Sequence, residues 1–234
     1  MFSLLLLGFL IGMRHALEAD HVAAVASLAS KTTSVQSAIK QGAVWGLGHS
    51  FTLFLFSSII ILSESIIPKN LVMGLEFSVG IMLVILGVDV IRKLVRDKVH
   101  IHSHRHGNQT HFHAHKHTDQ KTHSSVTHHQ HQHTGGFPFK AFYVGLMHGM
   151  AGSAALIILT LQSVDSVMTG MLYILMFGIG SIIGMAALSF IIAIPLRHSA
   201  KGITWLNNSL QIVIGLVTIV LGTTLVYDIG GQII

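Results

Sequence analysis

The chain has no cysteine and very little charge. Of its 234 residues only 10% are charged and nine are acidic, whereas about a quarter of the residues of a soluble domain are charged. The missing cysteine excludes disulfides and thiolate metal ligands. Since 51% of the residues are hydrophobic and the mean hydropathy is +0.67, the composition indicates an integral membrane protein.

Apolar stretches of about twenty residues, long enough to cross the hydrocarbon core as helix, recur six times along the chain. The predicted spans are residues 2–28, 40–63, 72–95, 138–161, 166–195 and 203–228. Between the third and fourth spans lies one long polar segment.

Lysine and arginine are distributed very unequally between the two sides of the predicted membrane protein. If the N-terminus is on one side, that side receives Lys69 alone, and the loops on the other side receive twelve basic residues. Cytoplasmic loops carry the excess of basic residues, so we expect a multi-pass cell-membrane protein with both termini outside.

The positive charge does not point to a nucleic-acid partner. The formal net charge of +5 and the pI near 9.7 follow from basic loops, and the chain offers no folded basic face. A phosphate-binding G-x-x-x-x-G-K-[ST] motif is also missing, so ATP use by that route is excluded.

The polar segment at residues 96–137 is rich in histidine. It holds 13 of the 18 histidines, and its composition predicts a disordered cytoplasmic loop. Clustered imidazoles bind nickel, cobalt, copper and zinc, which suggests a metal-buffering or sensing loop. The other interpretation is a soluble linker. The candidate buffer residues are His102, His104, His106, His111, His113, His115 and His117.

The two halves of the chain resemble each other in order. IGMRHALEADHVAAV aligns with VGLMHGMAGSAALII at an offset of 133, WGLGHS with FGIGSI at 132, and EFSVGIMLVILG with QIVIGLVTIVLG at 135. With three spans per half, the repeats must be inverted, which is a transporter architecture. We therefore predict an all-α membrane protein with repeats at 1–95 and 138–234 flanking the histidine loop.

The first span contains a strongly polar motif, RHALEADH, at residues 14–21. Charges at membrane depth are costly, so Arg14, Glu18 and Asp20 need partners or a water-filled cavity. Histidines also lie within spans, and imidazole with carboxylate but no sulfur suits nickel, cobalt or zinc. The predicted metal ligands are His15, Asp20, His21 and His49.

A straight helix would not bring these ligands together. Asp20 would lie roughly 140° and His21 roughly 240° around the axis from His15, so we predict that the first helix is interrupted. Further candidates are Met1 through its amine, Glu18, His148 and Glu76. For His148 a purely structural role remains an alternative. Asp89, as a salt-bridge partner of the nearby Arg92 and Lys93, and His198, beside Arg197, are expected near the membrane interface.

The motif carries a family resemblance. His15, four intervening residues and then Asp20-His21, preceded by Arg14 and followed by LGHS at 47–50, resembles the nickel/cobalt transporter family of bacterial permeases. The six-span form resembles its UreH-type branch. The resemblance is strong in the first half and weak in the second, and it implies that the four predicted ligands select and transport the metal. Glu18 replaces the usual aspartate, and FTLF after LGHS also departs from the family pattern, so metal preference stays open.

We expect a secondary transporter that imports Ni²⁺ or Co²⁺ as its substrate, with no organic cofactor and no enzyme activity. The lipid bilayer is its environment, and a cytoplasmic metallochaperone is the expected acceptor. Two alternatives remain. One is an exporter of the same metals with a histidine-rich sensing loop, and the other is a membrane accessory protein that delivers metal to urease or hydrogenase.

Overall fold

The computed structural model describes residues 2–32, 34–63, 68–96, 100–106, 109–115, 136–151, 166–202 and 204–233. These residues form seven helices and one two-stranded ribbon. The helices are α1 (Phe2–His15), α2 (Ala19–Ala29), α3 (Val35–Ser63), α4 (Lys69–Arg96), α5 (Phe139–Ala151), α6 (Val167–Gly202) and α7 (Thr204–Ile233). The strands are β1 (His100–His106) and β2 (Gln109–His115).

Four helices, α3, α4, α6 and α7, are long and apolar enough to cross a bilayer, and the pair α1 and α2 counts as a fifth span. The chain is therefore a multi-pass membrane protein. The predicted count was six. Its fourth span, 138–161, corresponds to α5 only as far as residue 151, and the remainder lies outside the described residues.

The first span is interrupted, as the sequence predicted. α1 ends at His15, α2 begins at Ala19, and their axes differ by 59°. Across the break, the amides of Leu17 and Glu18 donate to the carbonyls of Arg14 and His15. Glu18 then adopts an extended conformation, with φ of −63° and ψ of 147°, so the helix cannot continue in register.

Helices pair in four main contacts: α1 with α6, α5 with α3, α3 with α6, and α4 with α7. Glycines allow the backbones to meet closely. A methyl group on Gly12 would overlap the Phe177 carbonyl, and one on Gly145 would overlap the Trp45 carbonyl. Because lipid supplies no hydrophobic driving force between helices, this close packing supplies much of the attraction between them.

Ion pairs tie several helices together near one end of the molecule. Asp89 on α4 accepts hydrogen bonds from Lys31 (2.5 Å), which follows α2, and from Lys140 (2.9 Å) on α5. Its partners are therefore not the neighbouring Arg92 and Lys93 considered from the sequence. Arg197 on α6 donates to the Ala29 carbonyl, which fixes the end of α2.

The first part of the histidine-rich segment has regular structure, where the sequence predicted none. β1 and β2 pair antiparallel, with His102 opposite His113 and His104 opposite His111. Alternate residues of a strand lie on one face, and histidine stands at every second position within each strand. This alternating pattern is the one that an extended, paired strand accommodates. Residues 116–135 lie outside the described part of the chain.

The glycine contacts predict that single methyl groups destabilise the helix pairs. Gly12→Ala and Gly145→Ala should each lower the stability by about 1 to 3 kcal/mol, because the added Cβ meets backbone that cannot rotate away. The measurement is thermal unfolding in detergent. Gly74→Ala is the matched control, since a Cβ there meets nothing within 4 Å. Equal melting temperatures for all three variants would contradict the packing.

Candidate metal centre

The break between α1 and α2 positions three of the predicted ligands. His15 is the last residue of α1, while Asp20 and His21 lie in the first turn of α2. The negative end of the α1 dipole favours a cation, and the positive end of the α2 dipole favours the Asp20 carboxylate. The break thus replaces the diverging directions of a straight helix with a convergent set.

His15 and His49 meet at the centre of the cluster. The Nε2 atoms of the two rings are 3.2 Å apart, and both side chains are buried, His49 completely. His49 comes from α3, where glycines at 46 and 48 allow close approach to neighbouring helices. The other nitrogen of His15, Nδ1, contacts the Glu18 carboxylate at 2.9 Å.

Asp20 joins the first half of the chain to the second. Its Oδ1 lies 2.9 Å from His21 Nδ1 and also accepts the His21 backbone amide, while its Oδ2 lies 3.0 Å from His148 Nε2. His148 is on α5, 128 residues away in sequence. One carboxylate therefore orients two buried imidazoles, which is how carboxylates commonly fix the tautomer of metal-binding histidines.

Three imidazole nitrogens are buried without a hydrogen-bond partner among the described residues. They are His21 Nε2, His49 Nδ1 and His148 Nδ1. Each buried polar atom without a hydrogen-bond partner lowers the stability by about 1 to 3 kcal/mol, so three such atoms in one cluster need a physical explanation. Binding a ligand at this cluster would supply one.

Two aromatic side chains pack against the histidine cluster. Trp45 and Phe177 are fully or almost fully buried, with ring centroids 5.4 Å from His148 and 5.2 Å from His15 respectively. Neither residue was predicted from the sequence to belong to the site. The repeat alignment could have indicated both, because it pairs Trp45 with Phe177.

A cavity of about 490 Å³ reaches the cluster at His15. Charged and apolar side chains share its lining, which consists of Ile11, Arg14, His15, Leu17, Glu18 and Phe177. Arg14 and Glu18, which the sequence placed at membrane depth, therefore border a cavity as expected for charges there.

The ligand atoms form two overlapping groups, each with its atoms within 4.8 Å of one another. The first group is His15, His21 and His49, and the second is Asp20, His21 and His148. Each group has the atom types and spacing needed to hold one transition-metal ion. The four predicted ligands thus lie together, and His148 joins them.

The other candidates lie elsewhere or outside the described residues. Glu18 contacts His15 but is 58% exposed, and Glu76 on α4 belongs to neither group. His198 is an exposed residue of α6 whose Nδ1 bonds the Ile194 carbonyl. Met1 and His117 lie outside the described residues. The remaining loop histidines are on the ribbon, away from α1 and α2 in sequence.

Comparison with known proteins assigns the chain to a family. The family named NicO, described as high-affinity nickel-transport protein, matches residues 1–141. The chain belongs to this family. The match includes α1 to α4 and the motif at the break, so the family resemblance inferred from the sequence is confirmed.

Two relatives extend along nearly the whole chain. The urease accessory protein UreH of Bacillus sp. (strain TB-90) is 38% identical over 228 residues, 97% of this chain and 92% of the relative. The chloroplast protein FOR GROWTH AND FERTILITY 2 of Arabidopsis thaliana is 24% identical over 222 residues, 91% of this chain and 55% of the relative. No solved structure gives a significant match.

Proposed function

We propose that this member of the nickel-transport family is a secondary transporter that imports Ni²⁺ or Co²⁺ through the cluster at the α1–α2 break. The observation that carries the proposal is the convergence of buried ligand atoms, in two groups within 4.8 Å, at an interrupted transmembrane helix. Interrupted helices that place ligands in the membrane are a recurrent device of transporters.

The ligand chemistry supports a borderline dication. Imidazole nitrogen and carboxylate oxygen without sulfur suit nickel, cobalt and zinc better than copper(I), and magnesium prefers oxygen. The 3.2 Å between the Nε2 atoms of His15 and His49 is compatible with one ion bound at about 2.1 Å from each, in tetrahedral or octahedral geometry. The family favours nickel among these metals.

The contacts between helices support the proposed inverted repeat of three spans per half. Gly12 meets the Phe177 carbonyl and Gly145 meets the Trp45 carbonyl, and the alignment pairs Gly12 with Gly145 and Trp45 with Phe177. If each residue is replaced by its aligned counterpart in the other half, the contact between α1 and α6 corresponds to the contact between α5 and α3. The metal cluster then lies where the two halves meet.

A second pair of contacts repeats this correspondence. A methyl group on Gly48 would overlap the Phe142 carbonyl, and one on Gly180 would overlap the Phe9 carbonyl. The alignment pairs Gly48 with Gly180, and the offset of 133 extended two residues toward the N-terminus pairs Phe9 with Phe142. On this proposal α5 is the counterpart of α1 in the second repeat.

Import agrees with the energetics of the ion. We place the termini outside and the histidine-rich segment in the cytoplasm, following the basic residues. An interior-negative potential contributes about 2.3 kcal/mol per charge per 100 mV, or roughly 4.6 kcal/mol for a dication. That is enough for accumulation on the order of a thousandfold, without another energy source.

The strongest competing function is metal delivery to an enzyme. The relative that is 38% identical over 97% of this chain is named a urease accessory protein. An imported ion handed to a cytoplasmic metallochaperone would serve such a purpose, so transport and delivery are compatible. An exporter of the same ions would also use this cluster, but would need a counter-ion gradient.

The ribbon register supports metal buffering by the loop. Histidines at 100, 102 and 104 pair directly with those at 115, 113 and 111, and His106 continues the same face of β1. Residues two apart on a strand share a face, so the register places two adjacent histidine pairs on one face of the ribbon. Such a set suits nickel, copper or zinc.

The first test removes predicted ligands. Single alanine variants should abolish transport of radioactive nickel into proteoliposomes but leave the protein in the membrane, because each removes a ligand from a dehydrated ion. The variants are His15→Ala, Asp20→Ala, His21→Ala and His49→Ala. The control is His198→Ala, an exposed histidine outside the cluster. Near-normal transport by two or more cluster variants would remove the proposed site.

The loop is tested by deleting residues 100–133. The deletion should lower the number of metal ions bound per chain but leave transport largely intact, because loop histidines do not form a path through hydrocarbon. A correctly inserted deletion variant without transport would contradict this division of roles.

A matched variant keeps the histidine count and changes only the face. It combines His102→Ser with Ser103→His and Phe112→His with His113→Phe, which moves one pair to the opposite face of the ribbon. The buffering proposal expects loop binding to weaken toward that of the deletion. Binding equal to that of the unaltered chain would mean that composition alone, without register, holds the metal.

Direction is tested in cells. Expression should raise cellular nickel or cobalt at submicromolar supply and increase sensitivity to excess metal, because the potential drives a dication inward. Elemental analysis of washed cells provides the measurement, and His49→Ala is the inactive control. Lower cell metal with increased resistance would reverse the assignment to export.

A further inference from the structure

The two ligand groups at the α1–α2 break share one residue. His21 belongs both to the group with His15 and His49 and to the group with Asp20 and His148. Its ring centroid lies 4.3 Å from that of His15 and 4.3 Å from that of His148. His21 therefore stands between two ligand sets, each of which has enough donors for one ion.

The two groups differ in which part of the chain supplies them. His15, His21 and His49 come from α1, α2 and α3, all in the first half of the chain. The second group adds His148 from α5, in the second half. The second set therefore forms or separates when α5 moves relative to α2, whereas the first set contains no residue of α5.

The cavity distinguishes the groups further. His15 lines it, while Asp20, His21 and His148 do not. An ion entering through this cavity meets the first group before the second.

We propose that the ion occupies these two positions in turn, first at His15, His21 and His49 and then at Asp20, His21 and His148. The inference rests on the proposed transport function and assigns a distinct task to each group. The first position captures the ion, and the second passes it across the boundary between the halves. His148 is required for passage and not for capture.

Sharing His21 has a physical consequence for the ion. A dication that exchanged all its ligands at once would be left without coordination in a low-dielectric surrounding, at high cost. With one imidazole kept throughout, the other ligands are exchanged one by one. Asp20 already bonds His21 and His148, so the carboxylate holds the second set together before the ion arrives.

The test separates binding from transport. For His148→Ala in the full-length protein in detergent, the nickel dissociation constant should stay close to the unaltered value, while transport into proteoliposomes falls by about tenfold or more. His49→Ala should weaken binding and abolish transport. Titration calorimetry and the visible absorption spectrum of bound Co²⁺ measure binding separately from transport.

A second variant guards against a folding defect. His148→Gln keeps an N–H donor for Asp20 but replaces the imidazole, so it should show the same retained binding and lost transport. His198→Ala controls for loss of a histidine outside the cluster. Unchanged transport in both His148 variants would overturn the second position, and so would a parallel loss of binding and transport matching that of His49→Ala.

The outcome also separates this inference from the proposed function. If the unaltered protein neither binds nor transports nickel or cobalt, the transport function itself fails. If it transports both ions and the His148 variants do too, only the two-position path fails. If binding is kept and transport lost in His148→Ala and His148→Gln, both stand.

Discussion

The structure depends on one constraint: the polar side chains of the proposed metal site must come together inside a bilayer, where every backbone group must also be satisfied. A continuous helix satisfies its backbone but points His15, Asp20 and His21 in different directions. The 59° break between α1 and α2 resolves this conflict. Only three residues separate the two helices, and two of their amides donate to carbonyls at the end of α1. The free helix ends then favour the charges that the site requires.

A break of this kind needs support from the rest of the fold. α1 lies against α6 through Gly12 and Gly180, and Arg197 of α6 holds the far end of α2 by the carbonyl of its last residue, Ala29. Asp89 and Lys31 fix the residues that follow. Both pieces of the first span are therefore anchored, and the ligands at the break keep their positions through neighbours that carry no ligand themselves.

The family assignment and the geometry bear on different questions. The match over residues 1–141 identifies a nickel-transport family, and a relative of 38% identity is named a urease accessory protein. Neither says how the ligands are arranged. The arrangement comes from contacts such as Asp20 with His148, which link the matched region to a residue beyond it. Most of the residues suited to bind a metal ion therefore lie in the region that the family match covers.

The periodicity and polarity of the sequence were sufficient to predict many of the membrane helices and the polar residues of the candidate site. Long apolar runs give the membrane helices because lipid leaves few other conformations, and residues 72–95 correspond closely to α4. The histidines and acids stood out because charge in a span is rare, and the need for an interruption followed from helical geometry alone.

Tertiary structure decided which distant groups meet. The sequence left His148 between a ligand and a structural role, and only the packing of α5 on α3 brings it to Asp20. Asp89 pairs with Lys31 and Lys140 instead of its sequence neighbours, because helix packing sets those distances. The ribbon in the histidine segment depends on pairing between strands, which composition does not encode. Local pattern specifies elements, but contacts between residues far apart in sequence arise only when the elements pack.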